Sequence, residues 1–577
     1  MDRDLIGRRA VWAALCLAVA LVYSGVLDAP FVYDDKVEVA GNRALRLFSH
    51  VDGDALSLLL AGRGDVGGID DVIDGWRGIL SYNTARPLLI TSYAIDFQRG
   101  GLDPRPYHIT NLLVHGAAVG AALALVHALA ALARRPLATA GLGGLVGLWA
   151  LHPMATEAVA YTTGRSEALC GAFSFMALAA WAGALQAERE GRSGLWGRGL
   201  GTLCFGLAVG SKEPGVMVFP VMLWMELLFR EGRPVRAWSY LPHLAAAVGA
   251  VALRLSATGA LLPVEIPRPL GVQLTTSAEV LLRYLQLWLA PVGQTLFHDQ
   301  PDVDLASVRG LGAWAALLLL AGLGAWLGRR RPLVAFGLGA ALLFLLPSTS
   351  VVMLKEHMAE HRAYVTGLYL LVAGWGLVPE ARAPRLRGLV IGAVILLSAA
   401  TWARNRVWAS EALLWREATE ARPGSDEAWY GLGDALRFAK DCTGAVPAYE
   451  QTLALNQGYL DAYTNLGICK AQLGDAAAAR AAWRRALQER PSYCKAHANL
   501  GSLAYQLQEW EEAEVELRTA LAYCPENAVA HWLLGNLYYG PRRDRERALR
   551  HYEELVRLHP QFDHAPKAKE RILELTW

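Results

Sequence analysis

Long apolar runs dominate the first two thirds of the chain and then stop. They cover roughly residues 10–27, 109–132, 137–151, 167–186, 199–211, 214–229, 238–256, 311–328, 332–351, 363–379 and 387–402. A bilayer core about 30 Å thick is crossed by roughly 20 apolar helical residues. The runs therefore predict about eleven transmembrane helices, the shorter ones less regular than the rest. Segment 279–291 holds Arg283, Gln286 and Pro291 and is expected to be amphipathic or re-entrant. Past about residue 402 charged positions return, and a soluble pattern begins.

Charges between the runs orient them. Arg3, Arg8 and Arg9 precede the first run. Arg134 and Arg135 follow the second; Arg189, Arg192 and Arg198 the fourth; Arg230, Arg233 and Arg236 the sixth; Arg329–Arg331 the eighth; and Arg382, Arg385 and Arg387 the tenth. Basic residues mark cytoplasmic loops. This gives a cytoplasmic N-terminus and an outer C-terminus. The outer segments are 28–108, 152–166, the Ser211–Pro214 corner, 257–310, 352–362 and the soluble tail. The first run reads as an uncleaved helix rather than a signal peptide, because it lacks a small-x-small site and Pro30 follows it.

The tail repeats. Leu-Gly recurs at Gly433, Gly467, Gly501 and Gly535, every 34 residues. Pro423, Pro491 and Pro525 keep that period, and Pro560 comes one residue late. Small residues follow at Ala445, Ala479 and Ala513. Glycine lets two antiparallel helices approach, and proline ends the second helix of each pair. This is the tetratricopeptide pattern: four repeats, preceded by a half-repeat around Trp408–Pro423. The expected domains are a membrane domain, 1–402, and a repeat domain, 403–577. Trp429, Trp483 and Trp532 are expected in the core or the groove.

Composition agrees with a membrane domain joined to a soluble one. Of 577 residues, 54% are hydrophobic and 19% charged, against about 25% charged in soluble domains. A net charge of +2 gives no basic face for nucleic acid. Seven cysteines show no CxxC or zinc spacing; the four in the tail, Cys442, Cys469, Cys494 and Cys524, offer no readable disulfide framework.

The outer segments carry the candidate chemistry. Phe31-Val-Tyr-Asp34-Asp35 follows the first run. Two adjacent carboxylates at a membrane boundary need a cation, donors or a raised pKa; the plain alternative is a solvated loop start or helix cap. Four more clusters share this side: His152 with Glu157, Gly164-Arg165-Ser-Glu167, Ser211-Lys212-Glu213, and Lys355-Glu356-His357 with Glu360-His361-Arg362. Each alone reads equally as an interfacial anchor or ion pair. Grouped on one side, they form an acid, base and histidine face. Arg165, Lys212 and Arg362 suit a phosphate.

The order of these pieces resembles a known family. They are Phe-x-Tyr-Asp-Asp, Asn83-x-x-Arg86-Pro87-Leu88, Tyr107-His108-x-x-Asn111-Leu-Leu-x-His115, Leu151-His152-Pro153-x-x-x-Glu157, Ser211-Lys212-Glu213 and Glu360-x-Arg362-x-Tyr364, ending in tetratricopeptide repeats. The chain resembles the transmembrane and tetratricopeptide-repeat-containing O-mannosyltransferases, and its Ala, Gly and Arg content suggests a bacterial member. The resemblance implies an all-α, GT-C-type membrane domain that uses a lipid-phosphate-linked sugar. In animals the donor is dolichyl-phosphate mannose and the acceptors are Ser/Thr on cadherin-type domains; here an undecaprenyl-type carrier and another acceptor protein are expected.

Asp34 is the expected catalytic base, with Asp35 orienting it or, if the reaction uses a divalent metal, holding that ion. Arg165, Arg362 and Lys212 are expected on the donor phosphate, and His152, Glu157, Glu213, Glu360 and His361 in support. The repeats would present the acceptor polypeptide. The expected location is a bacterial inner membrane with periplasmic repeats, or an endoplasmic-reticulum membrane with lumenal repeats. The competing readings are a non-catalytic repeat scaffold and a lipid-linked sugar transporter. A transporter would place its ionisable groups nearer the membrane midplane.

Overall fold

The computed structural model describes residues 2–42, 45, 86–258, 268–350, 354 and 356–576. Most of segment 28–108, with Asn83, lies outside the described residues, as does Lys355. Every regular element among the described residues is helical. The chain divides into two compact units, Met1–Leu414 and Trp415–Trp577.

The first unit holds α1 (Asp2–Val22), α2 (Pro87–Gly100), α3 (Pro104–Leu132), α4 (Thr139–Ala150), α5 (Thr156–Ala160), α6 (Arg165–Arg189), α7 (Leu195–Ser211) and α8 (Val218–Phe229). It continues with α9 (Leu241–Thr258), α10 (Leu270–Leu289), α11 (Val308–Gly328), α12 (Pro332–Leu345), α13 (Tyr364–Leu377) and α14 (Arg387–Asn405). Each of the eleven apolar runs falls on one of these helices. Four stretches are long and apolar enough to cross a membrane: Pro104–Leu132, Arg165–Arg189, Val308–Gly328 and Arg387–Ala409. α10 covers the segment expected to be amphipathic. It buries Gln273, Thr275, Thr276 and Ser277 beside Tyr284 and Trp288, and leaves Leu270 and Leu289 exposed.

At the centre, α3 packs along α6, α6 along α7, and α12 along α13. Small residues allow this, as is usual where helix association relies on close contact rather than on expelling water. A Cβ on Gly171 would lie 2.9 Å from the Tyr364 ring. Trp149 donates to the Tyr364 carbonyl at 2.8 Å, and His115 Nδ1 meets the Tyr364 hydroxyl at 2.7 Å. These bonds fasten α3, α4 and α13 where the chain enters its polar corners.

The polar residues separate to two ends. At one, arginines at the C-terminal ends of α3, α6 and α11 cap the C-termini of neighbouring helices. Arg135 donates to the carbonyls of Trp375 (2.9 Å) and Gly376 (3.2 Å), Arg189 to that of Leu132 (2.7 Å) and Arg331 to that of Leu377 (2.6 Å). A cation there meets the negative end of the helix dipole. Arg198 departs from its expected place in a loop. It lies inside α7, 6% exposed, with Glu188 and Glu226 as ion partners and its guanidinium over Trp181. A buried guanidinium needs such carboxylates, and they lie ten residues before it and 28 residues after it in the sequence.

The second unit is built of helix hairpins: α16 (Asp426–Phe438) with α17 (Cys442–Leu455), α18 (Leu460–Gln472) with α19 (Ala476–Glu489), α20 (Cys494–Gln506) with α21 (Trp510–Tyr523), and α22 (Ala528–Tyr539) with α23 (Arg545–Leu558). α15 (Glu411–Ala421) precedes them, and α24 (Ala565–Thr576) closes the array. Ser425, Asp441, Asp475, Asn527 and Asp544 cap five helix N-termini with their side chains. Each repeat glycine lies against a large side chain of the facing helix: Gly433 on Tyr449, Gly467 on Trp483, Gly501 on Leu517 and Gly535 on Tyr552. In the last hairpin α23 begins one residue late, after a longer loop, so Tyr552 and Pro560 are late together. Trp483 is buried in the array core; Trp532 is half-buried and stacks on His564.

The structure supplies the cysteine pairing that the spacing left open. They pair as Cys442–Cys469 and Cys494–Cys524, with Cα atoms 5.0 and 6.0 Å apart, inside the range a disulfide spans. Spacing along the chain hid this because the first pair joins adjacent hairpins and the second joins the start of α20 to the residue after α21. Cys16, Cys170 and Cys204 of the first unit are free.

Candidate active site

Beyond α1, Tyr33 takes a left-handed backbone conformation, φ 49°, which reverses the chain immediately before the two acids. Asp34 is exposed and Asp35 is 1% exposed. Asp35 Oδ1 accepts from the Thr163 amide (2.7 Å) and hydroxyl (2.6 Å), and Oδ2 from the Val32 amide (3.4 Å). Burial raises this carboxyl to about 7 despite the three donors. The Asp34 amide donates to the Tyr161 hydroxyl at 2.9 Å. Loss of water in the mouth of the site raises the Asp34 carboxyl; Tyr161 and Arg86 oppose this, and Glu38 and Glu157 add to it. One acid faces outward as a stronger base than a free carboxylate. Its neighbour is tied to the 162–163 corner.

Around this pair other polar segments between the helices converge. Arg86, at the start of α2, clasps Glu213 through Nε (3.2 Å) and Nη2 (3.0 Å). Burial would raise Glu213, but Arg86 and Lys212 bring it down to about 2. Lys212 pairs with Glu167 of α6 at 2.9 Å. His361 Nδ1 meets Glu157 at 2.6 Å, and the His361 amide donates to the other oxygen of that carboxyl at 3.0 Å. Burial raises Glu157 to about 7 and lowers His361 to about 3. Burial thus works against charge on both members of this hydrogen-bonded pair. Arg362 donates Nη1 to the Glu356 carbonyl at 2.9 Å, and the Tyr33 hydroxyl donates to the Glu356 side chain at 2.6 Å. No carboxylate pairs with Arg362 among the described residues, so the cation retains donors for a ligand.

Glu360 supports this from beneath. Fully buried, it accepts from the Thr295 amide (2.8 Å) and Gln294 Nε2 (2.7 Å), meets His298 Nε2 at 3.0 Å and has Arg404 3.6 Å away. Against burial, Arg404 and His298 hold it below the ordinary carboxylate range. It joins the 294–298 loop and α14 to the turn that carries His361 and Arg362.

Two expected site residues stand apart. Arg165 is 0% exposed, and its guanidinium is committed to the protein. It bonds Asn111 (2.6 Å), Ser92 (2.9 Å) and the Tyr107 carbonyl (2.8 Å), pairs with Asp96 at 2.7 Å, and lies over Tyr93. This makes it the hub joining α2, α3 and α6, with no face toward a donor phosphate. His152 stacks on Trp288, ring centroids 4.4 Å apart, and its Nδ1 accepts from the Met154 amide at 3.2 Å. Burial lowers it to about 4, a neutral packing histidine.

Tyr161, Arg404 and His298 join the site without having been singled out by the sequence, and Glu167 stood in the Gly164–Glu167 cluster with no role given. Arg86 stood in a motif with no role given. Glu213, an acid in an outer corner, was the sign that a cation must come from elsewhere. Among the described residues no three His, Cys, Asp or Glu side chains are grouped to hold a metal ion.

Comparison with known proteins follows this geometry. Residues 501–540 match the family described as TPR repeat, and residues 461–493 and 529–561 the family described as Tetratricopeptide repeat. Protein O-mannosyl-transferase TMTC4 of Homo sapiens is 24% identical over 508 residues, which is 76% of this chain and 66% of that protein. Protein O-mannosyl-transferase Tmtc1 of Drosophila melanogaster is 34% identical over 29% of this chain and 17% of its own. Protein O-mannosyl-transferase TMTC2 of Mus musculus is 32% identical over 37% and 23%. The chain thus spans less than two thirds of the length of these curated relatives. Among solved structures, YrrB, a TPR protein with an unusual peptide-binding site, is 21% identical, with a TM-score of 0.24 over 31% of this chain and 90% of its own. A thermophilic TPR protein in Thermus thermophilus is also 21% identical, with a TM-score of 0.25 over 32% and 94%. By sequence, then, the chain's curated relatives are protein O-mannosyl-transferases, and its own tail carries tetratricopeptide repeats.

Proposed function

We infer that the protein is an integral-membrane glycosyltransferase of GT-C type. It moves a hexose, with mannose the first candidate, from a polyprenyl-phosphate carrier to Ser or Thr hydroxyls of a protein acceptor. The observation that carries this reading is the pairing of an exposed, basic Asp34 with an anchored Asp35, beside an Arg362 that has donors to spare. Asp34 takes the proton of the acceptor hydroxyl. The oxygen attacks the anomeric carbon from the face opposite the carrier, the bond from that carbon to the phosphate oxygen breaks, and the configuration inverts. Negative charge then grows on the departing lipid phosphate, where fixed cations stabilise it. In this reading Arg362, which has no carboxylate partner among the described residues, takes that task. Lys212, already paired with Glu167, contributes field rather than a free donor. Glu213 holds Arg86, Glu157 holds His361, and Glu360 holds the turn that carries Arg362.

Eleven spans with the repeats on the outer side fit this reading. The two disulfides of the repeat unit favour an oxidising compartment, which is the side that outer segments face. The repeats would raise the local concentration of acceptor near Asp34. The test is transfer of labelled mannose from undecaprenyl-phosphate mannose to a Ser/Thr-rich envelope protein by the purified full chain. Wild-type transfer that is lost in Asp34→Asn at equal expression upholds the reading. Equal transfer by the two removes Asp34 as the base.

A further inference from the structure

The acidic turn is held from two sides. One is the 161–163 corner already described. The other is segment 405–411, which leads from α14 toward the repeats. Trp408 lies there in a short helical turn and is 1% exposed. Its ring stacks on Tyr161, with centroids 5.7 Å apart and planes at 28°. Tyr161 is the residue whose hydroxyl takes the Asp34 amide at 2.9 Å. The Trp408 indole N–H has no hydrogen-bond partner among the described residues, so the ring acts by contact alone. Glu411 pairs with Lys36, two residues beyond Asp34. Asn405 Nδ2 donates to the Val22 carbonyl at 3.0 Å, where α1 ends. Asn405 closes α14, Trp408 lies in the turn after it and Glu411 opens α15, and their contacts go to the end of α1, the 161–163 corner and Lys36 of the acidic turn. Simple core packing would account for Trp408, but not for Asn405 and Glu411 reaching the two flanks of the same segment.

We propose that Asn405, Trp408 and Glu411 are positioning residues for the acid pair, fixing through Tyr161 and Lys36 where Asp34 is presented to the acceptor hydroxyl. This rests on the reading of Asp34 as the base. A shift of about 1 Å in a reacting group costs up to about a hundredfold in rate. Loosening this clamp therefore lowers turnover and leaves donor binding, which falls to Arg362, in place.

The experiment uses the full chain in detergent with undecaprenyl-phosphate mannose as donor and a synthetic Ser/Thr peptide as acceptor, and compares wild type with Trp408→Ala, Trp408→Phe and Glu411→Gln. Trp408→Ala is expected to lower kcat about tenfold to a hundredfold with donor KM held within about twofold, and Trp408→Phe to recover most of the loss. Amide hydrogen exchange supplies a readout that needs no activity. Trp408→Ala is expected to speed exchange in the peptide covering residues 31–40 and to leave the peptide covering 476–489 unchanged. Unchanged exchange at 31–40, or weakened donor binding with kcat intact, would overturn the proposal. Should wild type transfer nothing, the base reading falls, and the exchange measurement still decides whether the clamp exists. If Trp408→Ala does not fold, Glu411→Gln is judged by the same two measurements.

Discussion

Asp34 and Asp35 carry the same side chain one residue apart, yet the fold gives them different tasks. Asp34 meets solvent; Asp35 spends its oxygens on Thr163 and Val32. A raised Asp34 means that the basic form accumulates only as pH climbs past the ordinary carboxylate range. The acid limb of kcat/KM should therefore rise with pH above that range, and Asp34→Asn should remove activity about a hundredfold or more, measured by label transfer. Asp35 and Glu157, each raised to about 7, act on stability. A group raised on folding contributes most below its unfolded pKa and loses that contribution as pH passes its folded value. Melting temperature should thus decline from about pH 4 to about pH 7 and level off above it, and Asp35→Asn should flatten the decline. Arg165 makes a different forecast. Arg165→Gln leaves buried Asp96 with only the exposed Arg99, 3.6 Å away, as a cation, at a cost of about 3–5 kcal/mol. The loss should appear as a lower melting temperature and poor yield, with the donor KM of whatever protein folds unchanged.

At the scale of elements, small residues decide which helices pair. A Cβ on Gly467 would lie 2.3 Å from the Trp483 indole nitrogen, so α18 and α19 could not keep their approach. Gly467→Val should cost about 1–3 kcal/mol through overpacking, read as an earlier melting transition of the repeat unit in calorimetry. In the first unit the arginines do two things at one end. Their placement after alternate helices reads as orientation, and their bonds to the last carbonyls of neighbouring helices hold those ends together.

For the whole molecule, the two units carry their sulfur differently. All four repeat cysteines are paired, while the three in the first unit are not. The pairs close loops of 27 and 30 residues, each adding about 2–4 kcal/mol. Denatured, unreduced protein should therefore accept a maleimide at Cys16, Cys170 and Cys204 only, and at all seven cysteines after reduction; mass shifts on a gel report the count. Labelling of Cys442 without reductant would contradict the pairing.

The sequence by itself determined the elements. Apolar runs of helical length, and a glycine that returns every 34 residues, are local or periodic signals, so eleven helices and four hairpins were legible from composition along the chain. It also determined which acids and bases lie between the apolar runs, because charge between such runs is legible without knowledge of contacts. Only the tertiary structure decided partners. Arg165 and Arg362 are alike in sequence, each beside acids in an outer segment. One is buried among Asp96, Asn111 and Tyr107, and the other keeps donors free, because α2 and α3 close over the first alone. Arg86 finds Glu213 across 127 residues, and Trp408 finds Tyr161 across 247. Such pairings depend on how helices far apart in sequence pack, and no spacing within a segment encodes them.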